Sequence, residues 1–457
     1  MRLVSSRRRA GWISGAVLLF CGAASSWAQS NDEIQTATQF NVSTPGARSL
    51  ALGGAFVAVA DDATAAYANP AGLAQLIEPE ASLEGRAWAQ RSRFTERGHT
   101  PETGLTGIGI DVVDGLESAT LESRQQAPSF ASYVHTGRRW AVSLHHHQLA
   151  DFQAALSTQG AFVGPRENPQ RLSPARSRMD LEISGLAASG AVRFGDRWLL
   201  GGSVVRHEFS FDSHTERFQR DPATGDPLRD SLTGGFYGPA DFRPGNVLNL
   251  QTQSGDDDAW SWTLGVLWRP NADWSVGAVR RSGAAFDFRA LYADGPASPT
   301  PGAIDPTLGG EGSFRVPGVW AVGVAYRPAD NWLLALDWNR IEYSSMRRDL
   351  INLLQAARGQ LAGFEIDDAD ELHLGAEYQA LGTRLPLSIR LGTWFDPDHR
   401  LRFAGRDPAL RARFRPGEDE IHVTGGLGLV LRRFQIDLAY DHSPSIDTVS
   451  LSAVQRF

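Results

Sequence analysis

Cysteine is almost missing from this chain: Cys21 is the only one in 457 residues. It lies in an N-terminal stretch with the features of a cleaved leader. The mature chain then has no thiol, which excludes disulfides, thiolate catalysis and cysteine-based metal sites. Long apolar runs are missing too. Beyond the leader no stretch approaches the roughly 18 apolar residues that a membrane-spanning helix needs. There is no basic excess. The formal net charge is −8, and losing the leader, with Arg2, Arg7, Arg8 and Arg9 and no acids, takes it to −12. An acidic chain has no electrostatic reason to hold nucleic acid. Mean hydropathy is −0.26, the value of a soluble protein. A β-strand with one apolar face needs only alternate residues to be greasy, however, so the average hides that design.

The leader has three parts. The four arginines form a positive start, residues 10–24 are apolar and small, and Ser26-Trp27-Ala28 offers a small-x-small cleavage site before Gln29. Residues 1–28 therefore read as a secretory signal peptide. Phe20 ahead of Cys21 argues against a lipoprotein site.

What the rest of the chain has is period two. Trp260, Trp262, Leu264, Val266 and Trp268 alternate with Ser261, Thr263, Gly265 and Leu267. Trp320, Val322, Val324 and Tyr326 alternate with Ala321, Gly323 and Ala325. Phe434, Ile436, Leu438 and Tyr440 alternate with Gln435, Asp437 and Ala439. Alternate residues of a strand share a face. A large aromatic face backed by a polar or tiny one fits lipid outside and a lumen inside. A soluble β-sandwich or propeller also buries one face, so the connections must decide. Short turns such as Gly137-Arg138-Arg139 before Trp140, Gly195-Asp196-Arg197 before Trp198 and Arg432-Arg433 before Phe434 alternate with long connections. The long ones fall near 155–179, 213–256, 292–312, 345–367 and 398–418. That asymmetry is expected of an outer-membrane barrel, with Trp beside the short turns as an interfacial girdle.

Fifteen strand candidates can be drawn between 81–95 and 448–457, including 104–114, 127–136, 273–289 and 313–327. Closure with both chain ends on one side needs an even number. The turn at 137–139 makes 127–136 a descending strand, so 104–114 is expected in an extracellular excursion, leaving fourteen. Residues 29–80 differ from the strands. Here Asp61-Asp62 precedes the small-residue run Ala63–Ala68 and then Asn69-Pro70-Ala71-Gly72-Leu73. A short helix is expected over 61–68, capped by Asp61 or Asp62 and stopped near Ala68 by Pro70.

The segment Gly53-Gly54-Ala55-Phe56-Val57-Ala58-Val59-Ala60-Asp61-Asp62-Ala63-Thr64-Ala65-Ala66-Tyr67-Ala68-Asn69-Pro70-Ala71-Gly72-Leu73 resembles the N-terminal signature of outer-membrane transporters for long-chain fatty acids and aromatic (toluene-type) hydrocarbons. Val316-Pro317-Gly318, Leu336-Asp337-Trp338-Asn339, Leu374-Gly375-Ala376-Glu377-Tyr378, Ile389-Arg390-Leu391-Gly392-Thr393-Trp394 and the terminal Phe457 are looser matches. The resemblance implies an all-β fold, a 14-stranded antiparallel transmembrane β-barrel. Its N-terminal plug (hatch) over 29–80 would sit in the lumen of a barrel formed by 81–457. It implies passive uptake of hydrophobic compounds by lateral diffusion through the barrel wall of the cell outer membrane. Asn69, Pro70 and Ala71 carry over as plug residues. Asp61, Asp62 and Gly72 join them as the candidate plug or gating motif, although capping and turn formation would explain the same residues. For the substrate, the loop arginines Arg171, Arg176, Arg178, Arg217 and Arg220 offer candidates without a choice among them.

The partners expected are the bilayer with its lipopolysaccharide, hydrophobic small molecules, and the outer-membrane assembly machinery during insertion, for a monomeric protein. Neither a cofactor nor a catalytic or metal site is expected. His145-His146-His147 puts at most His145 and His147 on one face, and Gly425-Gly426-Leu427-Gly428 lacks the lysine and helix of a phosphate loop. Two other functions remain open: a non-transporting accessory of secretion or surface assembly, and a barrel hydrolase, which would need Ser, His and an acid within hydrogen-bond reach.

Overall fold

The computed structural model describes residues 44–105, 107, 111–167, 170–172, 174–218, 239–296, 308–347, 363–380 and 386–457. The leader 1–28, the expected plug residues 29–43 and Arg220 lie outside the described residues.

Fourteen antiparallel strands close into a barrel. They are β1 (Glu80–Gly98), β2 (Leu116–Thr136), β3 (Trp140–Thr158), β4 (Ala175–Phe194), β5 (Trp198–Phe218) and β6 (Val247–Trp268). Next come β7 (Trp274–Arg281 and Ala284–Asp294), β8 (Leu308–Val316 and Val319–Ala329), β9 (Trp332–Ile341) and β10 (Ala369–Ala380). Then follow β11 (Leu387–Asp396), β12 (Glu420–Leu431), β13 (Phe434–His442) and β14 (Ile446–Arg456). The last strand pairs with the first, from Glu80↔Arg456 to Gln90↔Ile446. This pairing joins the two ends of the sheet, as a membrane-spanning sheet requires.

The alternation sorts as expected. Trp260 (64% exposed) and Leu264 (58%) face out, whereas Ser261 (8%) and Thr263 (6%) face in. The outer belt is apolar, as with Phe434, Ile436, Leu438 and Tyr440 on β13.

Three boundaries differ from the sequence expectation. Residues 104–114 form no strand among the described residues, so the excursion holds, yet β2 starts at Leu116 rather than 127. β5 and β6 likewise run into the span 213–256 that read as a loop, ending at Phe218 and starting at Val247. Above the membrane the outward residues turn polar, as with Arg206, Glu208 and Asp212 on β5. The greasy signal fades while the ladder from Trp198↔Trp268 continues to Phe218↔Val247. The spans 273–289 and 313–327, read as single strands, are each broken, at Ser282-Gly283 and Pro317-Gly318. Pro317 has no amide to donate to a ladder, and a Cβ on Gly283 would stand 2.4 Å from the Val316 carbonyl. Both halves of the β7–β8 pair keep one register, so the two strands bend together.

Residues 44–79 occupy the lumen at the short-turn end, mostly buried. They contain α1 (Ala47–Ala51), α2 (Ala65–Ala68) and a 3-10 turn at Pro70–Gln75. α2 stops at Ala68 as expected, because Asn69 before Pro70 is extended (φ −153°). Its cap differs from expectation: Thr64 flanks the helix, and Asp62 Oδ1 accepts the Thr64 amide at 2.9 Å instead. Toward the loop end the lumen is filled by apolar side chains, with Phe209 and Phe286 stacked at 4.8 Å.

Candidate functional site

The barrel wall is shaped to receive the N-terminal segment. Inward glycines stand at several of the points where that segment touches a strand. A Cβ on Gly201 (β5) would lie 2.4 Å from the Ala71 nitrogen, one on Gly265 (β6) 2.1 Å from Asn69 Oδ1, and one on Gly392 (β11) 2.3 Å from the Gly53 nitrogen. Only a strand without a side chain lets another backbone this close. This is what the inward Gly positions of the alternating pattern are for.

The buried polar groups of the segment find partners around the whole circumference. Asp337 Oδ2 on β9 accepts the amides of Phe56 (2.6 Å) and Val57 (2.7 Å). Asn69 Nδ2 donates to the carbonyls of Val57 (2.9 Å) and Val266 on β6 (3.1 Å), while its Oδ1 accepts the Ala71 amide (3.2 Å). Arg48 reaches Asp61 at 2.5 Å and Glu377 on β10 at 3.0 Å. Arg390 on β11 links Glu377 (2.5 Å) to Asp437 on β13 (2.7 Å). Arg327 at the end of β8 holds the other oxygen of Asp61 at 3.1 Å. Burial opposes the Arg48 charge, but Asp61, Glu377 and Asp62 together hold its pKa well above the ordinary value. At Asp62 burial outweighs the attraction of Arg48 and raises the carboxyl.

The six residues of the candidate motif are thus brought together, in distinct roles. Asp61 is an ion-pair hub and Asp62 a local turn acceptor. Asn69 bolts the segment to the wall. Pro70 and Ala71 lie against Gly201, and a Cβ on Gly72 would stand 2.2 Å from the Ala60 carbonyl. Sequence reasoning missed Arg48, Asp337, Glu377 and Arg390, though a signal existed. Each of the last three is a lone charge between apolar neighbours in a membrane strand, as in Leu336-Asp337-Trp338, and such a charge must face the lumen.

Two cavities flank the segment. The first, about 130 Å³, lies toward β9–β14 and β1 and is bounded by Gly53, Gly54 and Val57 of the segment. Its imidazoles all meet carboxylates. His373 stands 3.0 Å from Glu371 and donates from Nδ1 to the Gly53 carbonyl at 2.6 Å, His422 is 3.0 Å from Asp441, and His399 is 3.3 Å from Asp396. Trp394 is stacked between His373 and His422, at 5.3 and 3.7 Å. His399 lies flat on Tyr343 (4.1 Å, 7°) in the loop region above.

The second cavity, about 40 Å³, lies opposite, between Tyr67 and strands β3 and β5–β8. Its imidazoles meet no carboxylate among the described residues. His145, His147 and His207 face the lumen, with ring centroids 5.5 Å apart (His145–His147) and 5.8 Å apart (His147–His207). His207 and His147 are in register on either side of Gly185 of β4, where a Cβ would strike the His147 ring at 2.4 Å. His207 Nε2 and Ser261 Oγ are 2.8 Å apart, but His207 Nδ1 has no partner, so no acid completes a hydrolase-like cluster there. Arg281 borders both cavities. It donates to the Tyr67 (3.0 Å) and Ala68 (3.2 Å) carbonyls and covers the Tyr67 ring at 4.2 Å.

The loop arginines lie elsewhere. Arg171 bonds the Gln159 carbonyl, Arg176 stacks on Phe218 and Phe242, Arg178 is exposed, and Arg217 is buried beside Asn249. None of them lines either cavity.

One interruption in the wall stands beside the second cavity. β2 and β3 pair only from Phe130↔His147 to Thr136↔Ala141, although the strands continue to Leu116 and Thr158. Both are irregular at the level where pairing ends. β2 shifts register against β1 around Pro128-Ser129, and β3 shifts against β4 at Leu149.

The family model described as outer membrane protein transport protein (OMPP1/FadL/TodX) matches residues 23–400. No curated protein matches the chain. Among solved structures, a Pseudomonas aeruginosa FadL homologue is similar at 16% identity and a TM-score of 0.59, covering 92% of this chain and 99% of that one. The Ralstonia pickettii toluene transporter TbuX is similar at 16% identity and a TM-score of 0.58, covering 91% and 99%. The Pseudomonas putida toluene transporter TodX is similar at 15% identity and a TM-score of 0.56, again covering 91% and 99%.

Proposed function

Since the chain belongs to the outer membrane transport protein family of OMPP1, FadL and TodX, and so to the outer membrane, we propose that it takes up hydrophobic compounds passively and releases them sideways into the lipid. Residues 44–79 are the described part of its plug. The observation that carries this reading is the unpaired stretch between β2 and β3. A proline and two irregularities would not persist in a ladder that only had to be closed. Leu149, at the irregularity in β3, also borders the second cavity and joins the apolar cluster of the upper lumen. A continuous apolar lining thus leads from the loop end to the gap. It would spare an apolar solute the contact with water that a filled pore would impose.

The gap begins above Tyr133 and Leu144, outward residues of the belt. Upward from there the edges carry backbone groups that need partners. One is supplied by Ser123, which donates to the Gln153 carbonyl at 2.7 Å across the gap. The plug, tied at Asp337, Asn69 and Glu377, blocks the axial route and directs the solute to the wall.

The test uses the absence of cysteine from the mature chain. Cells lacking their own hydrophobic-compound transporter would express the double variant Ser123→Cys/Gln153→Cys, and a short bifunctional maleimide would bridge the gap. Uptake of labelled toluene and of a labelled long-chain fatty acid should fall about tenfold on bridging for whichever compound is carried. Undiminished uptake in fully bridged protein would overturn lateral release. Uptake of neither compound by the unmodified, correctly inserted chain would overturn transport and favour the accessory reading.

A further inference from the structure

We propose that the second cavity binds the carboxylate of an aromatic monocarboxylic acid, with Arg281 as its counter-ion and His145, His147 and His207 as its hydrogen-bonding wall. This rests on the reading of the lumen as a path for hydrophobic compounds and names a class of compound for it.

Charge is the first argument. Arg281 has no carboxylate within ion-pair distance among the described residues, and none lines this cavity. Its polar contacts are two carbonyls, and its Nε has no partner. A guanidinium inside a membrane protein is costly unless paired, and marks a functional site. Across the lumen every imidazole of the first cavity already meets an acid. No described residue supplies the anion that would balance Arg281.

The imidazoles are the second argument. His145 (3% exposed) has no partner on either ring nitrogen, and Nδ1 of His147 (3%) and of His207 (5%) is also unpartnered. Buried polar groups in a folded protein are normally satisfied, so several orphan nitrogens around one cavity indicate a ligand with more than one acceptor atom. A carboxylate has two oxygens and about four acceptor sites, and a neutral imidazole offers one N–H. Gly185 supports a built site, because any side chain there would push His147 away.

The third argument concerns the ligand's body. About 40 Å³ suits a carboxylate-sized head, and the surroundings are rings. Tyr67 presents its edge to His147 at 4.9 Å, Phe130 tilts on His145 at 5.6 Å, and Phe286 meets His207 edge-on at 6.4 Å. Ring-rich surroundings favour a rigid aromatic body over a flexible chain, which would lose more conformational freedom on binding.

The experiment measures equilibrium binding by calorimetry to the purified full-length mature protein in detergent, with 4-ethylbenzoate, its neutral analogue 4-ethylbenzamide, the hydrocarbon 4-ethyltoluene, and nonanoate as the open-chain acid of equal carbon count. We expect 4-ethylbenzoate to bind about tenfold more tightly than the amide and severalfold more tightly than nonanoate. Arg281→Gln should cost 4-ethylbenzoate about tenfold and 4-ethyltoluene little. Because Arg281 also holds the plug, His145→Phe is the second variant, and it should weaken the carboxylate severalfold without weakening the hydrocarbon. Equal affinity for acid and amide, or no binding of the acid, overturns the proposal. Equal affinity for nonanoate overturns its aromatic half. Uptake of toluene with no binding of 4-ethylbenzoate would remove this inference while leaving transport intact.

Discussion

The two cavities beside the plug use the same side chain in opposite ways. On one side His373, His422 and His399 each stand beside a carboxylate, and Trp394 is stacked between two of the rings. On the other, His145, His147 and His207 have rings and hydroxyls for neighbours and four unpartnered nitrogens. All but His399 are lumen-facing residues on strands, so residue type and facing do not separate them. What separates them is whether an acid stands beside the ring, from the same strand for His373, the adjoining strand for His422 and the preceding strand end for His399. The paired side balances each imidazole with an acid, although His422 Nε2 and Asn339 Oδ1 stay unpartnered, and His373 binds the Gly53 carbonyl of the N-terminal segment. On the unpaired side no described carboxylate lines the cavity beside Arg281 and the three imidazoles, and that missing charge is what points to a ligand.

The largest test attacks the paired side. Glu377→Ala leaves Arg390 and Arg48 without their shared carboxylate, each with side chains that are nearly buried. Breaking a buried ion pair from one side costs roughly 3–5 kcal/mol. The midpoint of urea unfolding in lipid vesicles should fall clearly, and plug peptides should exchange amide hydrogens faster. A change below about 1 kcal/mol would show that the network is not what anchors the plug.

A matched pair of substitutions tests the comparison itself. His422→Phe leaves Asp441 buried without its imidazole and should cost about 1–3 kcal/mol. His147→Phe removes a nitrogen that bonds nothing and keeps a flat ring, so it should be close to neutral. Equal losses for the two, read from the same unfolding curves, would dissolve the distinction.

The smallest effect is a pH dependence at the roof of the paired side. Burial pulls the His399 pKa down, but the Asp396 carboxylate and the Pro397 carbonyl outweigh it, and the net shift is upward. A histidine raised in the folded state contributes stability that is complete below its unfolded pKa of about 6.5 and is lost as pH rises through the higher folded value. Amide protection around residues 397–401 should therefore decline on the alkaline side of that range, by less than about 1 kcal/mol. The decline should vanish in Asp396→Asn. A dependence of the opposite sign would mean that burial wins at His399.

Much of this was legible in the chain. Membrane strands announce themselves because lipid forces every second residue to be apolar, and Pro70 had to stop α2 at Ala68. The segment from Asp61 to Gly72 stood out in the sequence, while the contacts its members make did not. Nothing local distinguishes Asp61, which joins Arg48 to Arg327, from Asp62, which closes a turn and pairs with Arg48 alone, at 3.6 Å. The inward charges Asp337, Glu377 and Arg390 were visible by position. Their partners were not, since each bond spans tens to hundreds of residues. Strand lengths failed above the membrane, where lipid no longer dictates the outward face and pairing alone sustains β2, β5 and β6.

The sequence by itself therefore determined which residues face lipid and which face the lumen, because that choice is made residue by residue against the bilayer. It also determined the number of strands, because closure demands an even count. Only the tertiary structure decided what the lumen-facing residues do. Register across several strands placed Gly185 between His147 and His207, set Asp441 beside His422, brought no described acid to His145, His147 and His207, and left Arg281 between the two cavities. Those are juxtapositions of distant segments, and their energies depend on burial and partners that exist only once the barrel has closed around the plug.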